Sequence, residues 1–541
     1  MRIAELIARS LASFGVDRIF HVPGESFLAL LDALHDCPAI DLITCRHEGS
    51  AGLAAVADAK LTGRPGVAAV SRGPGLFNAA IALHVAEQEA IPLVLLVGQV
   101  DTPNLDRGAV QEVSTLSNLS KIIKGAYRLD KPEAAAEVLR RALTLACSGT
   151  PGPVVIELPE DCLAQPAAQA APTPCHLTPP VPAEPVAGRF AQVLDASRRP
   201  IMIVGGQNRT PEFRDALQRF SVQYGLPVIA ASKQQDQFPN DHENWAGQLG
   251  FFASQEHIRL LEQADLIVAV GTRLGDLSTV GFRYPRQGTD RQKLVHVYPD
   301  PDVIGSRFQT DLGIPCDALA FIAPLLETPF RRNQATEWAH AIEHTREALH
   351  RWHGTAATAA DTLGHVVYAC SRKLSPDGVI TTDSGNFAAW VHRIFTLHPR
   401  NRLLGSACGA MGSGVPAALA ASLRYPGRQV TAFCGDGGFL MNGSELITAV
   451  ARGLDLKIVI SNNGSYGTIR SHQQRTYPGR VVGTDLANPD FSLLAAAFGA
   501  KGIRVNHASQ AIEKIDEAYA HCGPVLVEVI CDPDHTVSDS L

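Results

Sequence analysis

The chain has 541 residues, 45% apolar and 19% charged, with a formal net charge of −7. That length corresponds to about three or four domains, and the balance is that of a soluble globular protein. An acidic chain without a Lys/Arg run gives no electrostatic case for a nucleic acid or anionic membrane partner. Eleven cysteines without a Cys-x-x-Cys pair argue against a disulfide framework or a zinc site and point to a reducing cytoplasm.

In chain order, the N-terminus MRIAELIARSLASFGV has the period of an amphipathic helix and carries Glu5, so it is not read as a signal peptide. Apolar runs at 18–22, 41–45, 67–71, 93–97 and 154–158 read as strands, with helical patterns between them. Such alternation predicts a parallel sheet covered on both faces. This first domain is expected over 1–165, followed by a Pro/Ala-rich linker over 166–186. Runs at 201–205, 227–230, 266–270 and 294–297 predict a second α/β domain over 187–328, with a helical linker over 329–355. Runs at 379–381, 430–434, 456–460 and 525–530 place a third domain over 356–541. The expected fold class is therefore α/β, with three doubly wound, mainly parallel sheets. Gly152-Pro153-Val154-Val155-Ile156-Glu157-Leu158 echoes Gly523-Pro524-Val525-Leu526-Val527-Glu528-Val529, so domains one and three read as two copies of one fold.

The chemistry concentrates between Gly435 and Gly467. Gly435-Asp436-Gly437-Gly438 follows one strand and Asn462-Asn463 another, with a helix expected over 443–451 between them. Their polar residues fall at the carboxyl edge of a parallel sheet, where ligands bind. Asp436 offers a carboxylate, Asn463 an amide oxygen and Ser465 a backbone carbonyl. That all-oxygen half-shell suits Mg²⁺, with water and phosphate as further ligands. Gly437 and Gly438 let the backbone approach an anion.

These motifs resemble the signature of thiamine-diphosphate enzymes, a GDG followed by NN, in the acetohydroxyacid synthase/pyruvate oxidase/decarboxylase superfamily. The resemblance implies a pyrimidine-binding domain first, a central domain second and a diphosphate-binding domain third. It casts Glu48, in RHEGSAGLAA, as the glutamate that hydrogen-bonds the aminopyrimidine N1′. A carboxylate with apolar neighbours can share a proton there. It casts Gly409 as the carbonyl that receives the 4′-amino group, and Met411 as the prop that bends the cofactor. Asp383-Ser384-Gly385-Asn386, Tyr466 and Gly467 are expected beside the diphosphate. Pro23, Glu25 and Ser26 stand at the turn expected to face the reactive ring. Asn78 lies in a stretch resembling R-G-P-G-x-x-N, and Gln111-Glu112 resembles F-Q-E, with Gln111 near the substrate. His84 and His472 complete the candidates for steering the outcome, His472 standing near the position of an acceptor-selecting tryptophan in the synthases.

The resemblance further implies a homodimer or homotetramer whose sites form between chains, with Glu48 acting on the cofactor held by the partner chain. It implies a small 2-ketoacid substrate converted by carboligation or decarboxylation. A non-decarboxylating lyase or C–C hydrolase remains an alternative within the class. The turns Ile203-Val204-Gly205-Gly206 and Val270-Gly271-Thr272-Arg273 resemble those that bind FAD in synthases and ADP in acyl-CoA relatives, so FAD is one candidate for the central domain. A nicotinamide-dependent dehydrogenase would need a Gly-x-Gly-x-x-Gly turn, which Gly205-Gly206-Gln207 does not supply. A non-catalytic homologue would be expected to lack Glu48 or the metal ligands. The last strand is followed by the short polar CDPDHTVSDSL, so no long C-terminal lid is expected.

Overall fold

The computed structural model describes the chain except residues 169, 175–180, 183–184, 252, 350–360 and 534–541. Much of the Pro/Ala linker, part of the helical linker and most of the C-terminal tail therefore lie outside the described residues.

Three six-stranded sheets carry the fold, and every strand pairing is parallel. The first holds β1 (Arg18–His21), β2 (Asp41–Thr44), β3 (Gly66–Ser71), β4 (Leu93–Gln99), β5 (Gly125–Arg128) and β6 (Pro153–Pro159), in the order β2-β1-β3-β4-β6-β5. The second holds β7 (Pro200–Val204), β8 (Val228–Ala230), β9 (Trp245–Gln248), β10 (Leu266–Val270), β11 (Lys293–Val297) and β12 (Leu312–Ile314), ordered β12-β11-β10-β7-β8-β9. The third holds β13 (Val379–Thr382), β14 (Arg402–Gly405), β15 (Val430–Gly435), β16 (Lys457–Asn462), β17 (Lys501–Val505) and β18 (Val525–Ile530), ordered β14-β13-β15-β16-β18-β17. The central strands are unbroken apolar runs because helices cover both faces; all seven residues of β4 are buried.

The first and third sheets have the same strand order, as the sequence echo predicts. The match reaches individual side chains. Glu157 on β6 lies beside Arg128 on β5, and Glu528 on β18 beside Arg504 on β17. The central sheet instead reverses direction between β10 and β7, as doubly wound dinucleotide folds do.

The helix expected over 443–451 starts earlier. A helix runs Asp436–Asn442, a 3-10 turn follows over Gly443–Glu445, and a second helix runs Leu446–Ala451. Asp436 initiates it by accepting the Gly437 N–H at 2.9 Å, so the metal motif forms the first turn of a helix rather than a loop.

Domains one and three pack through small residues. The Ala/Gly-rich helix Glu48–Thr62 is buried at nearly every position up to Lys60 and shares a core with the helices Arg72–Glu89 and Gly414–Arg424. Gly52 is required there, since a Cβ would stand 2.5 Å from that of Ala82.

Candidate active site

A cavity of about 470 Å³ opens at the carboxyl edge of the third sheet. Ser384, Gly385 and Asn386 reach it from the turn after β13, and Gly409 and Met411 from the loop after β14. Gly435, Asp436, Gly437 and Gly438 come from the turn after β15, and Asn463, Ser465, Tyr466, Gly467 and His472 from beyond β16. Fourteen expected residues thus share one cavity, because four neighbouring parallel strands end on the same side.

Asp436 is 2% exposed. Its Oδ1 accepts the Gly437 amide and its Oδ2 the Asn488 side-chain amide at 2.7 Å. Burial raises its pKa, and among the described residues no cation lies within ion-pair distance of it. Asn463 Oδ1 accepts the Ser465 N–H at 3.1 Å. Ser465 Oγ and Asn488 Oδ1 are buried without a hydrogen-bond partner. A carboxylate without a counter-ion, an amide oxygen and orphaned oxygens fit a hard divalent cation. Gly437 and Gly438 sit under Tyr466 and Asp383, where an added Cβ would come within 2.5 Å of the Tyr466 ring and 2.7 Å of Asp383 Oδ2.

Asn488 has no motif to announce it. The segment 484–488 returns alongside the Asn463 turn: Tyr466 N–H donates to the Thr484 carbonyl and Leu486 N–H to that of Gly464, both at 2.8 Å. Asn488 Nδ2 then bridges Asp436 and Asn462 Oδ1 at 2.9 Å.

Asp383 departs from expectation. It is 1% exposed and accepts the Ser384 and Gly412 amides at 2.8 and 2.9 Å, so it shapes the turns instead of facing the cavity. Burial pushes its pKa up to about 6.

None of the cavity's lining residues comes from the first domain. Glu48 opens its helix half-exposed, and Asn78 donates to its Oε2 at 2.9 Å. Asn78 and His84 are both exposed on the helix Arg72–Glu89, which also exposes Phe77 (54%) and Ile81 (39%). Pro23 and Glu25 are exposed. Ser26, expected to face the reacting end, is instead fully buried and bonded to Ser71 Oγ at 2.9 Å. Its 3-10 turn points it inward against Gly98. Gln111 is exposed at φ +62°, and its carbonyl accepts the Gly73 N–H at 2.9 Å, tying it to the R-G-P-G turn.

Glu445, which the sequence does not single out, joins the two sets within one chain. It is fully buried and accepts the backbone N–H groups of Arg46 (2.8 Å) and His47 (3.3 Å), just ahead of Glu48, and the Thr448 hydroxyl at 2.7 Å. Ser50 donates to Asn442 Oδ1 at 2.8 Å, and Asn442 Nδ2 to the Gly412 carbonyl at 2.8 Å.

Three family descriptions match the chain in this same order: thiamine pyrophosphate enzyme, N-terminal TPP binding domain over residues 1–119, central domain over 188–325, and C-terminal TPP binding domain over 383–529. The chain belongs to the thiamine pyrophosphate enzymes. Among its relatives are the acetolactate synthase isozyme 2 large subunit of Escherichia coli (strain K12), 30% identical across 98% of this chain and 96% of that protein. The probable acetolactate synthase large subunit of Methanocaldococcus jannaschii is also 30% identical, over 98% and 92%. An acetolactate synthase of Mycobacterium bovis is 30% identical over 99% and 88%. For this thiamine pyrophosphate enzyme a central-domain flavin finds no support. The matched descriptions name thiamine pyrophosphate alone, and the glycine turns pack on their own chain. A Cβ on Gly205 would collide with the Gly271 carbonyl, and one on Gly206 would lie 2.7 Å from Gln234 Oε1.

Proposed function

We propose that this protein is a thiamine-diphosphate- and Mg²⁺-dependent carboligase or decarboxylase of small 2-ketoacids, with each site formed between two chains. The observation that carries this reading is the division of the site. The cavity of one chain holds the diphosphate and metal half, while Glu48 and its partner Asn78 stand outside it. A second chain, applied to the exposed Phe77 and Ile81, supplies the missing half and the apolar surroundings of Glu48.

Asp436, Asn463 and the Ser465 carbonyl hold the metal, with Asn488 orienting Asp436. Ser384, Asn386, Gly437 and Gly438 would seat the diphosphate, and Gly409 and Met411 would hold the aminopyrimidine end. When bound, the cofactor supplies the carbanion chemistry that cleaves or forms the bond next to the keto carbon. Asn78 engages Glu48 Oε2, so Oε1 is the oxygen that would hydrogen-bond the cofactor. His472, exposed and 2.6 Å from the Arg475 guanidinium through Nδ1, lines the cavity where an acceptor would enter. That polar pair, near the synthases' tryptophan position, favours a second reading: a lyase or hydrolase that admits water. Among the described residues no helix is long and apolar enough to cross a membrane, and a cytoplasmic location goes with this reading.

Product analysis by NMR, with thiamine diphosphate, Mg²⁺ and pyruvate, tests it. Acetolactate identifies a synthase and acetaldehyde a decarboxylase. No product from pyruvate or larger 2-ketoacids rejects the 2-ketoacid reading.

A further inference from the structure

Lys233 is a buried amine with no carboxylate in direct contact, Asp383 and Glu89 acting on it from farther away. It follows β8 in the central domain at φ +60°, in the left-handed region that a long side chain rarely adopts. Its side chain crosses to the third domain, where Nζ donates to Thr382 Oγ1 at 2.6 Å and to the Asp383 carbonyl at 3.3 Å. The residue is 6% exposed and lines the cofactor cavity. Among the described residues no carboxylate lies within ion-pair distance of it, and its third N–H has no acceptor. Lys60, nearby and equally buried, shows the ordinary solution: it is ion-paired with Glu89. A buried charge with no counter-charge in contact is costly, and so is a strained backbone. Finding both in one residue on the wall of a cavity points to a ligand that meets the amine directly. Burial lowers the Lys233 pKa to about 8, which leaves the amine charged at neutral pH.

The position selects among anions. The metal residues and two of the diphosphate residues, Gly437 and Gly438, stand at the ends of β15 and β16, while Ser384 and Asn386 follow β13. Lys233 sits against the ends of β13 and β14, where a Cβ on Gly405 would come within 3.0 Å of Nζ. That is the Gly409 side, where Phe251 of the same central domain closes to 3.6 Å of a Cβ on Gly409. A cation and an apolar ring lining one cavity suit a small molecule with one carboxylate and one short carbon chain.

We propose that Lys233 is a specificity-determining residue that binds the carboxylate of the 2-ketoacid, so that a negative charge is a condition of productive entry. This rests on the 2-ketoacid reading above and adds a central-domain residue to the site. The probes are oxamate, which has the size and charge of pyruvate but an unreactive carbonyl, and its neutral counterpart oxamide. Both are titrated calorimetrically into protein loaded with thiamine diphosphate and Mg²⁺. Lys233→Met should weaken oxamate by about 10- to 100-fold, the range for a hydrogen bond to a charged group. It should leave oxamide and the cofactor within about 2-fold, and Lys233→Arg should restore part of the oxamate affinity. With wild type alone, oxamate should weaken above about pH 8 while oxamide does not, with Asp383, Lys60 and Glu89 as the charged groups facing the amine.

Unchanged oxamate affinity in Lys233→Met overturns the proposal. Parallel loss of the cofactor also overturns it, by assigning the amine to the phosphates. A wild type that retains the cofactor but binds neither oxamate nor 2-ketoglutarate rejects the 2-ketoacid reading and the proposal together. If Lys233→Met does not fold, the wild-type pH series decides, and equal pH dependence of the two probes overturns the proposal.

Discussion

Domains one and three are built on the same six strands in the same order, yet the cavity that gathers the site residues opens on the third and takes none of its lining from the first. The difference lies in the turns at the carboxyl edge. After the third strand of each sheet, domain three opens its helix with Gly435-Asp436-Gly437-Gly438, and domain one with Ser71-Arg72-Gly73-Pro74. After the fourth, domain three has Asn463 and an irregular turn pinned by residues 484–488, whereas β4 leads into the chain around Val100. After the first, Ser384 and Asn386 face the cavity, while the counterpart turn in domain one buries Ser26. One scaffold thus presents a metal-and-phosphate surface in one copy and a single carboxylate, Glu48, in the other.

The largest test of this division is Glu48→Gln, expected to reduce turnover by about 10²- to 10⁴-fold, the usual weight of a positioned acid–base group. Thiamine diphosphate should stay bound, which steady-state assays and equilibrium dialysis would read separately. Asp436→Ala should do the reverse and lose Mg²⁺-dependent cofactor retention. Asn488→Ala, which removes only the residue orienting Asp436, should weaken Mg²⁺ binding by about 10-fold. Equal effects of Glu48 and Asp436 variants on cofactor retention would erase the distinction between the two copies.

Glu445→Ala addresses what joins them. It strands two backbone N–H groups and a hydroxyl, at a cost of about 1–3 kcal/mol for each donor left unsatisfied, visible as a lower denaturant midpoint. The smallest effect concerns Lys233. Its pKa is lowered on folding, so its charge opposes folding below about pH 8. Stability should recover as pH rises from there toward the unfolded value of 10.5. Lys233→Met should lack that rise when unfolding midpoints are compared across the range.

What the sequence shows follows burial. Apart from the edge strand β2, half of whose residues are exposed, the strands visible as apolar runs lie inside their sheets. The five that escape such a reading, β5, β9, β12, β14 and β17, are all edge strands, and β5 (GAYR) and β17 (KGIRV) carry arginines where the sheet meets solvent. The cavity residues are legible because sequence-local motifs end on adjacent strands. Asn488, Glu445 and Lys233 are not, since each acts through a contact with a distant segment. The polar run Ser232-Lys233-Gln234-Gln235-Asp236-Gln237 is at least 91% buried at every position, because it forms the seam between the second and third domains. Gln235, for example, donates to the His392 carbonyl at 2.9 Å.

The helix that begins at Glu48 has a further consequence, for laboratory evolution. Flanked by two other helices through Gly52, Ala82, Ala417 and their neighbours, it has almost no room for a larger side chain. Libraries that randomise it would return mostly insoluble variants, however close it lies to Glu48. Productive diversity should come instead from the surface-facing positions around Phe251, His472 and Arg475, where a change of side chain alters the chamber without dislodging a domain.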